Sequence, residues 1–234
     1  MRWCFAVFAL LALAMPAAAQ STYVGASLVG DLARFSKVDV DGDGSSVATS
    51  LSSMDGEALG FNVKIGRSLG ERWGVEFEFA RSGEIEHRQW EFATPASPRL
   101  PTLPGLPVVL PPFPDFGFEL EAEQQHTSFA TLLWVRQELG DRVELAYLGG
   151  LVFSRVEVDQ DLRITDDRLA QWALSILPNY TNVDHGVGPA VGLEAEIKFG
   201  DHAAATAGVR LHGANVGGRN GWLIRPLAGL RWRF

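Results

Sequence analysis

Residues 191–211 read VGLEAEIKFGDHAAATAGVRL, and their alternation decides the fold. Val191, Leu193, Ala195, Ile197 and Phe199 fall on one face, with Gly192, Glu194, Glu196 and Lys198 between them. After Gly200-Asp201, the residues Ala205, Ala207, Val209 and Leu211 oppose Thr206, Gly208, Arg210 and His212. A period of two is that of a strand with unlike faces, and Gly-Asp between two such runs turns the chain back on itself. One face is wholly apolar, while the other mixes glycine with charges of both signs. A soluble sandwich or lipocalin-like barrel would also alternate, but it keeps apolar residues inside and polar ones in water. Small residues beside balanced charges instead suit a narrow interior in which long charged side chains pack against each other. The apolar face is then left for lipid.

The pattern recurs along the chain and predicts eight antiparallel strands closed into a transmembrane barrel. A first strand covers Thr22 to Ser36, with Val24, Ala26, Leu28 and Leu32 on one face. A second carries Leu59, Phe61, Val63 and Ile65, and a third alternates Val75, Phe77 and Phe79 with Glu76 and Glu78. The fourth, near Gln124 to Arg136, is apolar on both faces and its parity stays unassigned. A fifth sets Val143, Leu145, Tyr147, Leu151 and Phe153 against Glu144, Ala146 and Gly150. Val187 belongs to the sixth strand, and the eighth opposes Ile224, Ala228, Leu230, Trp232 and Phe234 to Arg225, Gly229, Arg231 and Arg233. The inner acids are Asp31, Glu76, Glu78, Glu144, Glu194 and Glu196. Against them stand Lys64, Lys198, Arg210, Arg225, Arg231 and Arg233. Unpaired, each such charge would cost several kcal/mol inside the barrel, by the order of magnitude for buried ions.

Three connections are short: Ser68 to Arg72, Gln137 to Arg142 and Gly200-Asp201. Four longer ones are expected over Lys37–Gly56, Ser82–Glu121, Val156–Asp184 and Gly213–Gly221. Short turns at one end and long loops at the other are the arrangement of outer-membrane barrels, with the turns periplasmic and the loops extracellular.

The start of the chain reads as an export signal. Arg2 is followed by an apolar run from Trp3 to Met15 and by Ala17-Ala18-Ala19, which predicts residues 1–19 as a signal peptide cleaved after Ala19. The domain then covers 20–234. The run is too short to span a bilayer as a helix. Cys4, the one cysteine, leaves with the signal, so disulfides and thiolate zinc sites are not expected. A formal charge of −8 argues against nucleic acid.

Gly229-Leu230-Arg231-Trp232-Arg233-Phe234 resembles the C-terminal assembly signal of outer-membrane proteins, with a glycine, an apolar residue and a final aromatic. Leu227, where the pattern prefers a polar residue, and Pro226, tolerable near a rim but not mid-ladder, depart from it. With eight strands, the mature chain resembles the small OmpA/OmpX/opacity-type barrels. The resemblance implies insertion by the barrel-assembly machinery, through edge pairing of the last strand, into the outer membrane of a Gram-negative cell. The anchoring role of two-domain relatives is not expected, since no peptidoglycan-binding domain follows the last strand.

Several segments offer candidate chemistry. Asp39-Val40-Asp41-Gly42-Asp43-Gly44 has the alternating oxygen ligands of a calcium loop, but Ser50 stands where a bidentate Glu is wanted. A solvated loop tip is the preferred reading. His126-Thr127-Ser128 resembles the His-x-Ser pair of outer-membrane lipid A deacylases, with Glu144 or Glu138 as a third member, although Phe129 replaces that family's asparagine. Ordinary strand residues are favoured there. Between Pro95 and Pro114, prolines interleave with Leu100, Leu103, Leu106, Val108, Val109, Leu110 and Phe113, a composition for polyproline II and an exposed apolar arm. Thr165 to Pro178 predicts a helix with Leu169, Trp172, Ala173, Ile176 and Leu177 on one face. The sequon Asn179-Tyr180-Thr181 is coincidental in bacterial export.

The expectation is therefore an integral outer-membrane barrel with a structural or surface-interaction role, not an enzyme. No catalytic, cofactor or metal residues are assigned. Partners expected are outer-membrane lipid and lipopolysaccharide, the assembly machinery, and an extracellular partner of the proline-rich loop. A small diffusion channel and a lipid A-modifying enzyme are the alternatives.

Overall fold

A computed structural model describes residues 21–35, 55–93, 116–164, 180–216 and 219–234. Eight strands follow in order: β1 (Thr22–Phe35), β2 (Gly56–Ser68), β3 (Trp73–Ala93), β4 (Phe116–Glu138), β5 (Val143–Ile164), β6 (Tyr180–Lys198), β7 (Ala203–Val216) and β8 (Arg219–Arg233). Each pairs antiparallel with its neighbour in sequence, and β8 returns to β1, so the sheet closes without a free edge. Three short turns, 69–72, 139–142 and 199–202, lie at the same end as Thr22 and Arg233. This is the turn end; the longer connections leave from the loop end.

The predicted faces hold. Leu28, Leu59, Leu151, Val187 and Leu230 are all more than 60 % exposed on the outer wall, while Asp31, Glu76, Arg210 and Arg225 are fully buried. An outside of hydrocarbon around an inside of charge is the inverse of a soluble barrel. β4, unreadable in the sequence, turns Phe129, Leu133 and Val135 outward and Gln124, His126, Ser128, Leu132 and Trp134 inward.

The strands run further than expected. β3 and β4 pair out to Ala93↔Phe116, and β5 pairs with β4 out to Ile164 and with β6 out to Gln160↔Tyr180. Much of the loops expected over Ser82–Glu121 and Val156–Asp184 is therefore ladder. The loop expected over Gly213–Gly221 is mostly strand as well, since β7 and β8 pair to Val216↔Arg219. A β-bulge between Arg81 and Glu84 shifts the β3 register, so that Ile85 points inward and Glu84 and Glu86 outward. Pro226 is not at a rim but in the middle of β8. It pairs with Val209 on the β7 side, while on the β1 side the ladder passes from Val29↔Leu227 to Leu32↔Ile224 without it. Its ring faces outward, where the missing N–H is accommodated by this interruption. Leu227 points into the interior and is buried.

Aromatic rings fill the interior over glycines on the next strand. Tyr23 lies opposite Gly66, Trp134 opposite Gly74 and Phe35 opposite Gly221. A Cβ at any of these glycines would strike the facing ring. The small residues noted in the sequence thus provide room for the large ones. The predicted signal peptide, the Asp39–Asp43 loop, the proline-rich segment and the predicted helix of 165–178 lie outside the described residues.

Candidate functional site: the filled interior and the outer wall

The interior is built in tiers. Nearest the turn end, Glu144 accepts from Arg233 Nη2 at 2.8 Å and pairs with Lys198, while Arg136 approaches it at 3.7 Å. The Arg136 guanidinium carbon lies 4.0 Å from the Trp134 ring centroid, a cation–π contact. Arg136 was not among the predicted inner charges because the parity of β4 could not be read.

One step up sits the centre of the network. Arg231 donates from Nη2 to Glu194 Oε1 at 2.5 Å and to Glu76 Oε2 at 3.4 Å, and from Nη1 to Glu196. Its guanidinium lies 4.1 Å from the Tyr23 centroid, and the Tyr23 hydroxyl donates to Glu76 Oε2 at 2.7 Å. Arg210 donates to Glu194 at 2.8 Å and to Glu76 and Glu78 at 3.3 Å, and Lys64 Nζ to Glu194 at 2.5 Å. These bonds run from β2, β7 and β8 to β3 and β6, so they fasten opposite walls together. Partners this close offset the several kcal/mol per ion that desolvation costs.

Above this, Arg225 grips Asp31 with two prongs, Nε to Oδ1 and Nη2 to Oδ2, the latter at 2.8 Å, and donates from Nη1 to Ser128 Oγ at 2.8 Å. That bond decides the fate of the His126–Ser128 pair. Both residues face the interior and are buried, but Ser128 is engaged by Arg225. His126 instead meets Gln124, stacks on Phe35 at 5.8 Å, and donates its backbone N–H to Ser82 Oγ at 2.9 Å. Glu144 lies in the tier at the far end and Glu138 at the last residue of β4, so neither candidate third member joins them. The top tier is mixed: Ala33, Phe35, Ile85, Ala122, Val156 and Leu223 pack together across the bore beside the buried Gln124 and His126.

Outside, the described strands carry an apolar belt with aromatics towards each edge. Trp73, Tyr147, Trp232 and Phe234 stand near the turn end, and Phe61, Phe79, Phe129 and Phe153 nearer the loop end. Such girdles mark the two interfaces of a transmembrane barrel.

A closed sheet, an inverted polarity and paired girdles define an outer-membrane type of β-barrel. The chain belongs to the outer membrane protein beta-barrel domain family, which it matches over residues 5–234, and this places it in the Gram-negative outer membrane. The turn end is therefore periplasmic and the loop end extracellular. No curated protein matches it significantly. Among solved structures it is similar to neisserial surface protein A, at 14 % identity and a TM-score of 0.50, over 93 % of this chain and all of the other. It is also similar to Ail of Yersinia pestis (12 %, TM-score 0.45, 91 % and 99 % covered) and to OprG of Pseudomonas aeruginosa (11 %, TM-score 0.49, 92 % and 96 %). At these identities the likeness concerns the fold.

Proposed function

We propose that this barrel has a structural and surface-interaction role and carries neither a diffusion pathway nor a catalytic centre. The observation behind this is the filling of the bore. Salt bridges tie opposite walls through the lower and middle tiers, and apolar side chains pack with Gln124 and His126 across the upper one. An eight-stranded barrel is just wide enough for side chains to fill. The lipid A-modifying reading loses its support where Ser128 is held by Arg225 and both His126 and Ser128 are turned away from the lipid.

A narrow polar path is the second reading, because Ser27, Asn62, Thr206 and His212 hold buried side-chain polar atoms without a hydrogen-bond partner in the protein. Planar-bilayer recording separates the two. The filled barrel gives no discrete conductance steps, and a stable open channel would contradict it. In the same reading the mature chain begins at Gln20, and Phe234 is read by the assembly machinery. Partners then meet the outward wall and the extracellular segments, the proline-rich one included. N-terminal sequencing of the exported protein checks the first point, and the insertion yield of a chain lacking Phe234 checks the second.

A further inference from the structure

The charges facing the bore in the lower and middle tiers do not balance. Among the described residues, the five carboxylates Glu76, Glu78, Glu144, Glu194 and Glu196 meet six cations, Lys64, Arg136, Lys198, Arg210, Arg231 and Arg233. The cation left over is Arg136. Its Nη1 approaches Glu144 Oε2 only to 3.7 Å, and that oxygen already accepts from Arg233 Nη2 at 2.8 Å while the other pairs with Lys198. Nε and Nη2 of Arg136 are buried and have no hydrogen-bond partner among the described residues. These two nitrogens are the side-on fork of a guanidinium, whose N–H bonds point the same way. Arg225 shows what that fork accepts in this protein, since its Nε and Nη2 grip the two oxygens of Asp31. Two rings hold Arg136 in place: its guanidinium carbon lies 4.0 Å from the Trp134 centroid and 5.3 Å from that of Tyr23. Arg231 lies 4.1 Å from the same Tyr23 ring, and its Nε is also buried without a partner. Positive charge thus converges on one ring from β4 and β8.

We propose that the periplasmic mouth of the bore binds a small oxyanion, a phosphate or a carboxylate, on the Nε–Nη2 fork of Arg136. An unneutralised charge is costly in a narrow interior. An anion with two oxygens supplies both the missing charge and the two acceptors that the fork is shaped for. A spherical ion such as chloride supplies the charge alone.

Exposure gives the direction of entry. Side chains open from 2 % at Arg231 through 11 % at Arg136 and 16 % at Arg233 to 26 % at Lys198, the outermost of the tier. The anion therefore comes from the periplasm. From the extracellular side it would have to pass the Arg225–Asp31 pair and the carboxylates of Glu78, Glu76 and Glu194. The site needs no path through the filled bore, so it is compatible with a closed barrel.

The test uses the whole refolded protein in detergent micelles, titrated separately with inorganic phosphate, acetate and chloride at constant ionic strength. Isotope-labelled arginine and tryptophan give two magnetic-resonance signals. The Arg136 Nε–H, assigned by its loss in Arg136→Lys, reads the fork itself, and the Trp134 indole N–H beneath it remains in every variant. Phosphate, acetate or both should shift the two signals saturably, and chloride should not. Saturation by one oxyanion alone supports the site and names its ligand. Arg136→Lys keeps the charge without the fork, and losing one charge-assisted hydrogen bond should weaken binding about tenfold or more. Arg136→Gln should abolish it, whereas Arg88→Gln, exposed at the extracellular end, should bind as wild type does. No saturable shift with either oxyanion, an equal response to chloride, or undiminished binding in Arg136→Lys would each overturn the proposal. Heat-modifiable gel mobility shows which variants fold. Should neither Arg136 variant do so, the comparison of the oxyanions with chloride on wild type still decides.

Discussion

The two ends of the barrel are built for different surroundings. At the periplasmic end the wall outside is apolar and the bore holds Glu76, Glu194, Glu196, Arg210 and Arg231. At the extracellular end the bore holds Phe35, Ile85, Ala122, Val156 and Val158 around Gln124 and His126, without an ionic network among the described residues, and the wall outside carries Glu84, Glu86, Arg155, Glu157 and Asp159. β5 passes from one regime to the other without a bulge. Its even-numbered residues point inward throughout, with Ala146, Leu148 and Val152 between Glu144 and Val156, and it is the outward row that changes, from Tyr147, Leu151 and Phe153 to Arg155, Glu157 and Asp159. The geometry of the strand is continuous while its solvent changes from hydrocarbon to water. Which face is apolar reports what surrounds the wall, and the crossover at Phe153 to Arg155 marks the outer edge of the belt.

This contrast yields graded expectations. Arg231→Leu removes one cation from the buried network, leaving Glu194 to Lys64 and Arg210 and Glu196 to Arg233, and should destabilise by about 3–5 kcal/mol, as for breaking a buried pair, measured by urea unfolding of the lipid-reconstituted protein. Leu230→Arg, one residue away on the lipid face, should cost about 2–4 kcal/mol if that position lies near the midplane and less towards the rim. A Leu230 variant costlier than the Arg231 one would mean that the interior network matters less than the lipid face. In the upper tier, Ile85→Val removes one buried methylene and should cost about 0.5–1.5 kcal/mol. Hydrogen exchange should then rise in the extracellular parts of β3 and β4 before it rises near Glu76. Breaking the exposed Arg155–Glu157 pair with Glu157→Gln should change stability by about 0–1 kcal/mol, readable as a near-coincident unfolding curve.

The same contrast explains what the sequence disclosed. Glu194-Ala195-Glu196 and Arg231-Trp232-Arg233 show charge inside and apolar outside directly, so the inward charges and the parity of these strands followed from alternation, while their arrangement in tiers did not. Ile85, Val156 and Val158 alternate just as regularly, but with the sense reversed, so those stretches read as loops although they are strands. β4 resisted because Leu132 and Trp134 line the bore between Thr131, Leu133 and Val135 on the outside, leaving no polarity to distinguish the faces. Arg136 and the surroundings of His126 were hidden with it. The His-x-Ser spacing correctly placed both side chains on one face. Spacing could not tell that Arg225, distant in sequence, would take the serine.

Cysteine scanning along β5 tests the reversal most directly, since the predicted mature chain has no cysteine of its own. Single cysteines at positions 151 to 159 are labelled in membranes with a lipid-phase and a water-phase maleimide. Positions 151 and 153 should react from the lipid, positions 155, 157 and 159 from water, and positions 152, 154, 156 and 158 with neither. Water-phase labelling at 156 and 158 with protection at 155 and 157 would show the extracellular end to be turned the other way, and the two-regime account would be wrong.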